Sequence, residues 1–185
     1  MPREDEWVKG LRERIAKELG NVKVFCHKKL PYAHEIFSFE GEKAVDMATH
    51  PFQTDLLIAE GGEGNLWTPR VVVECKLSSV TTHDALTYSA KAAAHKQVCP
   101  YLRYGILVGN LGDDAVPGRL LRHGAHFDFM VTWSEAEPAH EQWAQFTCVL
   151  TKEIEASRTL HALLADTRCH ERQRYSVIHR RLWAK

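Results

Sequence analysis

Apolar and polar residues follow one another along the chain with spacings that predict both helices and strands. Apolar residues recur at helical spacing from residue 5 to residue 19, and Gly20 supplies a stop, which predicts an amphipathic first helix. Four strand candidates follow it, at residues 22–28, 33–40, 52–59 and 70–77. The last two are the most apolar, and a glycine-rich loop from Gly61 to Pro69 joins them.

The second half of the chain predicts helices and strands in alternation. Thr81 or Thr82 caps a long alanine-rich helix that stops near Pro100. The remaining predicted elements are a strand at 103–109, a short helix from Pro117 to His123, a strand at 126–133 and a helix at 139–166. This order predicts one α/β domain with a mixed central sheet flanked by helices. Its core covers about residues 5–133, and a C-terminal helix with a basic tail covers 139–185.

Charged residues interrupt the two most apolar strands. In the strand Val-Val-Val-Glu-Cys-Lys-Leu at 71–77, Glu74 and Lys76 project from one face and Cys75 from the other. Asp55 lies within the preceding strand. Burying such charges costs several kcal/mol each unless partners compensate, so we expect either a structural ion pair or a metal site. Two carboxylates beside a lysine suit a hard cation and phosphodiester hydrolysis.

Composition narrows the class of protein. The 185 residues carry no net charge at pH 7 with histidine neutral, so there is no overall basic signature of a nucleic-acid-binding protein. Basic residues are instead concentrated between Arg168 and Lys185. The five cysteines show no C-x-x-C spacing, which indicates reduced thiols and no zinc site. With no signal peptide and no apolar run of membrane-spanning length, we expect a cytoplasmic protein without membrane contact.

The charged strands and their order along the chain resemble the PD-(D/E)XK nuclease superfamily, which contains restriction endonucleases and many repair and recombination nucleases. The resemblance covers residues 5–110. Asp55 matches the first acid of the motif, Glu74 the second and Lys76 the lysine, while Thr54 stands where the proline of the name would be. The resemblance implies a restriction-endonuclease-like core of helix, three strands, helix and strand.

The resemblance also implies a Mg²⁺ site for which Mn²⁺ is expected to substitute. Asp55, Glu74 and the backbone carbonyl of Cys75 would supply its oxygen ligands, since Mg²⁺ usually takes one or two carboxylates together with waters and substrate phosphate. Lys76 would orient the attacking water or neutralise developing negative charge. The alternative from the residues themselves is that Glu74 and Lys76 form a buried salt bridge without metal.

Other residues are candidates for supporting roles. Glu18 lies on the apolar arc of the first helix, where the superfamily often places a further acid, and Gln97 with Tyr101 resembles the Gln-x-x-x-Tyr element of the RecB-like branch. Candidate contacts to DNA phosphates are the basic residues of the second helix and of the tail, namely Lys91, Lys96, Arg172, Arg174, Arg180 and Arg181.

These observations lead to a Mg²⁺-dependent endonuclease acting on double-stranded DNA, in restriction or in repair and recombination. Because one domain holds one site, cutting both strands calls for a homodimer. A second hypothesis is a catalytically inactive nuclease-fold module that serves DNA binding or protein assembly. RNA and branched DNA remain open as substrates.

Overall fold

The computed structural model describes residues 3–112 and 115–166, which form a mixed α/β fold. The helices are α1 (Glu4–Leu19), α2 (Thr82–Val98), α3 (Gly118–His123) and α4 (His140–Asp166). The strands are β1 (Lys23–Cys26), β2 (Lys29–Glu40), β3 (Lys43–Gln53), β4 (Leu56–Gly61), β5 (Trp67–Leu77), β6 (Arg103–Gly109) and β7 (Phe129–Thr132). None of the helices in the described ranges is long and apolar enough to span a membrane.

Five of the strands form a mixed central sheet in the order β1-β4-β5-β6-β7. The strands β1, β4 and β5 pair antiparallel, whereas β5, β6 and β7 pair parallel. A parallel connection needs a crossover, and α2 and α3 provide the two that are required here. The predicted mixed sheet with flanking helices is therefore confirmed.

The two faces of β5 contact different layers of helices. Val71, Val73 and Cys75 belong to a core cluster that also contains apolar residues of α1 and α4. Val72 belongs to a second cluster, with residues of α2 and β6. Because side chains alternate along a strand, Glu74 projects toward the same layer as Val72. The sequence prediction that Cys75 faces away from Glu74 and Lys76 agrees with this arrangement.

The strands β2 and β3 form a separate two-stranded ribbon. Its outer half has both faces exposed, including large apolar side chains such as Phe37, Phe39 and Met47. Gly41 has φ 60° in the two-residue turn that joins the strands, a conformation that favours glycine. Only the first strand of this ribbon was predicted from the sequence, because residues 43–53 do not carry an alternating apolar pattern.

The predicted strand at 52–59 is wrong as one element. The chain leaves the ribbon after Gln53 and enters the central sheet at Leu56, so Thr54 and Asp55 form a break between two sheets. Buried Thr54 fixes the break, because both its N–H (3.1 Å) and its hydroxyl (2.9 Å) donate to the carbonyl of Lys28. A continuous run of apolar residues does not reveal such a change of sheet.

The start of α1 is held against the end of β6 by a tryptophan. The indole N–H of Trp7 donates to the carbonyl of Ala136 at 2.8 Å, and its ring meets that of Trp133 edge-on with 6.2 Å between centroids. Gly109 leaves room for this ring, since a Cβ there would lie 2.5 Å from the Cζ2 atom of Trp7. This contact brings the first turn of α1 to the carboxyl end of β5.

We expect Gly109→Ala to lower the free energy of unfolding by about 1–3 kcal/mol, because the tryptophan ring must move out of a fixed position. Gly10→Ala in α1 is the matched control. A Cβ at Gly10 meets nothing within 4 Å, and alanine should raise helix stability by about 0.5–1 kcal/mol. Urea denaturation followed by circular dichroism measures both, and equal stabilities of the two variants would contradict the packing argument.

Candidate active site

The last residues of β5 extend beyond the end of β4 and leave one side of the strand open. Pairing with β4 ends where Leu56 lies opposite Val73. On the open side, the N–H of Cys75 donates to Oδ2 of Asp55 at 2.8 Å, and the N–H of Leu77 donates to Oε2 of Glu4 at 3.0 Å. A carboxylate from the break before β4 and one from α1 therefore line this edge of β5.

The carbonyl of Cys75 is directed to the same open side. In an extended strand a residue's N–H and C=O point the same way, as the paired bonds of an antiparallel ladder require. Since the N–H of Cys75 bonds to Asp55, its carbonyl oxygen emerges between the carboxylates of Asp55 and Glu4. That this carbonyl contributes an oxygen to a metal site stays a prediction.

Glu74 is fully buried on the face of the sheet that packs against α2. Its Oε1 atom forms an ion pair with the ammonium of Lys91 at 2.7 Å and accepts a hydrogen bond from the hydroxyl of Tyr104. Its other oxygen, Oε2, has no hydrogen-bond partner among the described residues. Oε1 thus has two polar partners, and Oε2 is left available to a further ligand.

The surroundings of Glu74 oppose its ionisation. Burial, followed by the nearby negative charge of Asp55, raises the pKa of its carboxyl group, while Lys91 and Tyr104 act in the opposite direction, and the net result is a shift from 4.5 to about 7. Burial likewise raises the pKa of the Tyr104 hydroxyl well above its ordinary value, with Glu74 as the second cause. Tyr104 therefore remains a hydrogen-bond donor, and Glu74 changes charge near neutral pH.

Lys76 lies beside a different pair of acids. Its ammonium is 3.6 Å from Oε1 of Glu4 and 4.0 Å from Oδ1 of Asp84, and 22% of its side chain is exposed. Asp84 is fixed by a capping box at the start of α2, in which it accepts from the N–H of Thr81 at 2.8 Å. The ring of Tyr88 lies between the two lysines, 5.9 Å from the Lys76 nitrogen and 5.3 Å from that of Lys91.

The oxygen atoms near this edge of β5 are of the chemical kind that Mg²⁺ binds. Asp55, Glu74 and the Cys75 carbonyl are oxygen donors, and Mg²⁺ completes its shell with water and phosphate. The unpartnered Oε2 of Glu74 supports this reading. Within residues 3–112 and 115–166, no three His, Cys, Asp or Glu side chains converge as a ligand set.

No protein-family model and no curated protein matches the chain.

Two of the supporting residues lie away from this site. The expectation that Glu18 lies on the buried face is wrong, because its side chain is exposed and it is about 21 Å from Glu4 along the axis of α1. Gln97 is exposed at the far end of α2, two turns beyond Lys91. Neither residue is brought to Asp55 or Glu74.

Of the basic residues expected to contact DNA, the structure describes the two on α2 but not the four in the tail. Lys91 is directed inward to Glu74, and Lys96 forms an ion pair with Asp128 at 2.8 Å. Arg172, Arg174, Arg180 and Arg181 lie outside the described residues, so their contacts with phosphate stay a prediction.

Three residues of the site did not stand out from the sequence. Glu4 is one of three acids in the first turn of α1, a position that usually indicates only a favourable helix dipole. Tyr104 lies in an apolar strand and resembles any core aromatic residue. Lys91 was noted as a basic residue of α2, but its pairing with Glu74 depends on the register of that helix against β5. Tyr104 comes near Glu74 through the parallel register of β5 and β6, in which Val72 pairs with Tyr104 and Glu74 with Ile106.

The raised pKa of Glu74 predicts a dependence of stability on pH. A folded pKa of about 7 against 4.5 unfolded means that the native state holds its proton longer. The stabilisation is full below the unfolded pKa and is lost as pH rises through the folded one. Relative to Glu74→Gln, the wild-type free energy of unfolding should fall by about 2–3 kcal/mol from about pH 5 to pH 8. Urea titrations of both proteins measure the difference, and a constant difference would contradict burial as the dominant cause.

Proposed function

We propose that the protein is a Mg²⁺-dependent endonuclease that hydrolyses phosphodiester bonds in DNA. The observation that carries the proposal is the hydrogen bond from the Cys75 N–H to Asp55, which holds that carboxylate against the peptide that follows buried Glu74. An acid from the preceding segment, an acid from β5 and a lysine two residues later are the three groups that the nuclease resemblance requires. The mixed sheet with flanking helices is compatible with a restriction-endonuclease-like core.

In this proposal each residue has a separate task. Asp55, Glu74 through Oε2, and the carbonyl of Cys75 would hold Mg²⁺. When bound, the ion supplies Lewis-acid stabilisation of the phosphate and lowers the pKa of an attacking water. Lys76, fixed between Glu4 and Asp84 at the open edge of β5, presents a partly exposed ammonium to substrate. Its charge would stabilise the negative charge that develops on the phosphate oxygens.

The surroundings of the site agree with a substrate that arrives from the solvent side. Lys76 and Asp55 are partly exposed, whereas Glu74 is closed off by α2 and β6. The metal would thus lie between a buried ligand and an accessible one. Since the described part of one chain offers one such site, cleavage of both strands of a duplex would use a homodimer.

A second candidate function is a nuclease-fold module without turnover that serves DNA binding or assembly. The observation that favours it is the ion pair between Glu74 and Lys91, which together with Tyr104 already satisfies one carboxylate oxygen without metal. Such a protein would bind nucleic acid or a partner chain with no dependence on Mg²⁺.

Incubation of the pure protein with supercoiled plasmid, linear duplex and single-stranded DNA separates these functions. We expect cleavage with Mg²⁺ or Mn²⁺ and none with EDTA. Binding of the same DNA without cleavage under all conditions would favour the inactive module. Cleavage of RNA as fast as of DNA would support metal-dependent phosphodiester hydrolysis but not DNA as the specific substrate.

Asp55→Asn and Lys76→Ala should each reduce cleavage by about a hundredfold or more, for different reasons. Asp55→Asn removes one of few anionic ligands, so calorimetry should show weaker Mg²⁺ binding, whereas Lys76→Ala should retain binding of the ion. The controls are Asp46→Asn and Lys17→Met, whose parent side chains are exposed away from the site. Near-normal cleavage by Lys76→Ala would remove that lysine from the mechanism.

A further inference from the structure

A cation already lies at the candidate metal site, and it belongs to α2. The ammonium of Lys91 is 2.7 Å from Oε1 of Glu74 and 2.9 Å from the carbonyl oxygen of Gln53. Gln53 ends β3 two residues before Asp55. The ammonium therefore bridges the segment that carries one candidate ligand and the side chain of the other.

A divalent ion on Glu74 and the ammonium of Lys91 would be only a few ångströms apart. Like charges at such a distance, in a partly buried site, repel by several times the thermal energy. The carboxylate is therefore stabilised by either cation but poorly by both at once. In the metal-free protein Lys91 offsets the cost of burying the Glu74 charge.

We propose that Lys91 is the resident cation of the metal-free site, that a divalent ion exchanges with it, and that the released ammonium then binds a substrate phosphate. The inference rests on the proposed Mg²⁺ site and adds a residue that couples metal loading to phosphate binding. It also gives a physical reason for the expectation that Lys91 contacts DNA, although its ammonium is directed inward here.

The surroundings of Lys91 offer a short path for this exchange. Its side chain is 16% exposed, and its nitrogen lies 5.3 Å from the ring of half-buried Tyr88. The same ring is 5.9 Å from the nitrogen of Lys76. A rotation of the flexible lysine stem along the face of Tyr88 would keep a cation–π contact while bringing the ammonium toward Lys76 and the open edge of β5.

The exchange can be followed on the wild-type protein by acetylation of lysine with an amine-reactive ester and peptide mass spectrometry. Lys91 should be acetylated slowly without metal and faster when Mg²⁺ is added at saturating concentration. Lys96 is the internal control, because it lies on the same helix and pairs with Asp128 at 2.8 Å, away from the site. In Asp55→Asn, which should not hold the ion, Mg²⁺ should leave the Lys91 rate unchanged.

Replacement of the competing cation gives the second measurement. Lys91→Met keeps most of the length of the side chain without its charge, and should tighten Mn²⁺ binding by about tenfold or more at a pH above 8. Lys96→Met should leave the Mn²⁺ affinity as in wild type. The affinities are measured by calorimetry or by the paramagnetic resonance signal of free Mn²⁺, neither of which depends on catalysis.

The outcomes separate this inference from the proposed function. If the wild type binds Mg²⁺ but Lys91 acetylation does not rise, or if Lys91→Met weakens Mn²⁺ binding, the exchange is wrong and the metal site stands. If the wild type binds neither ion, the metal site and the exchange both fall. Faster acetylation of Lys91 in Mg²⁺ together with tighter binding by Lys91→Met would support the exchange.

Discussion

Glu74 places a carboxyl group on a sheet face where water is excluded, and the neighbouring elements are arranged around that cost. The side chain is fully buried, so its charge requires compensation from within the protein. Lys91 from α2 and Tyr104 from β6 supply it at a single oxygen. Each contact fixes the position of one element: α2 must present Lys91 to β5, and β6 must lie in parallel register beside it. The carboxyl group thus ties together the layers that surround the sheet.

The open edge of β5 is the second feature on which the site depends. Because β4 begins opposite Val73, the backbone of Cys75 and Leu77 is free to bond with carboxylates rather than with another strand. Backbone N–H groups are obligatory donors, and here Asp55 and Glu4 satisfy them. The acids are therefore held by main-chain atoms, whose positions are more fixed than those of long side chains. A shortened neighbouring strand creates both the opening and its lining.

Periodicity was sufficient to predict most of the helices and central-sheet strands and the faces of the buried strands. Glu74 and Lys76 were found because a charged residue in an apolar strand is conspicuous. Glu4 was not, because its role depends on the orientation of α1, which Trp7 fixes through contacts more than a hundred residues away in sequence. The strand at 43–53 was missed since a ribbon with two exposed faces has no buried side to impose alternation. The features that could not be predicted depend on tertiary contacts.

The ribbon of β2 and β3 is joined directly to the segment that carries Asp55, the candidate metal ligand. Its strands are 12 and 11 residues long, so it extends about 35 Å, and only Thr54 separates its base from Asp55. A rigid rotation about that point moves the tip many times farther than the carboxylate. Conversely, a force applied near Phe37 or Phe39 acts on the two hydrogen bonds between Thr54 and Lys28 with the advantage of a long lever. The position of Asp55 under such a force therefore depends on the two hydrogen bonds that Thr54 donates to the carbonyl of Lys28.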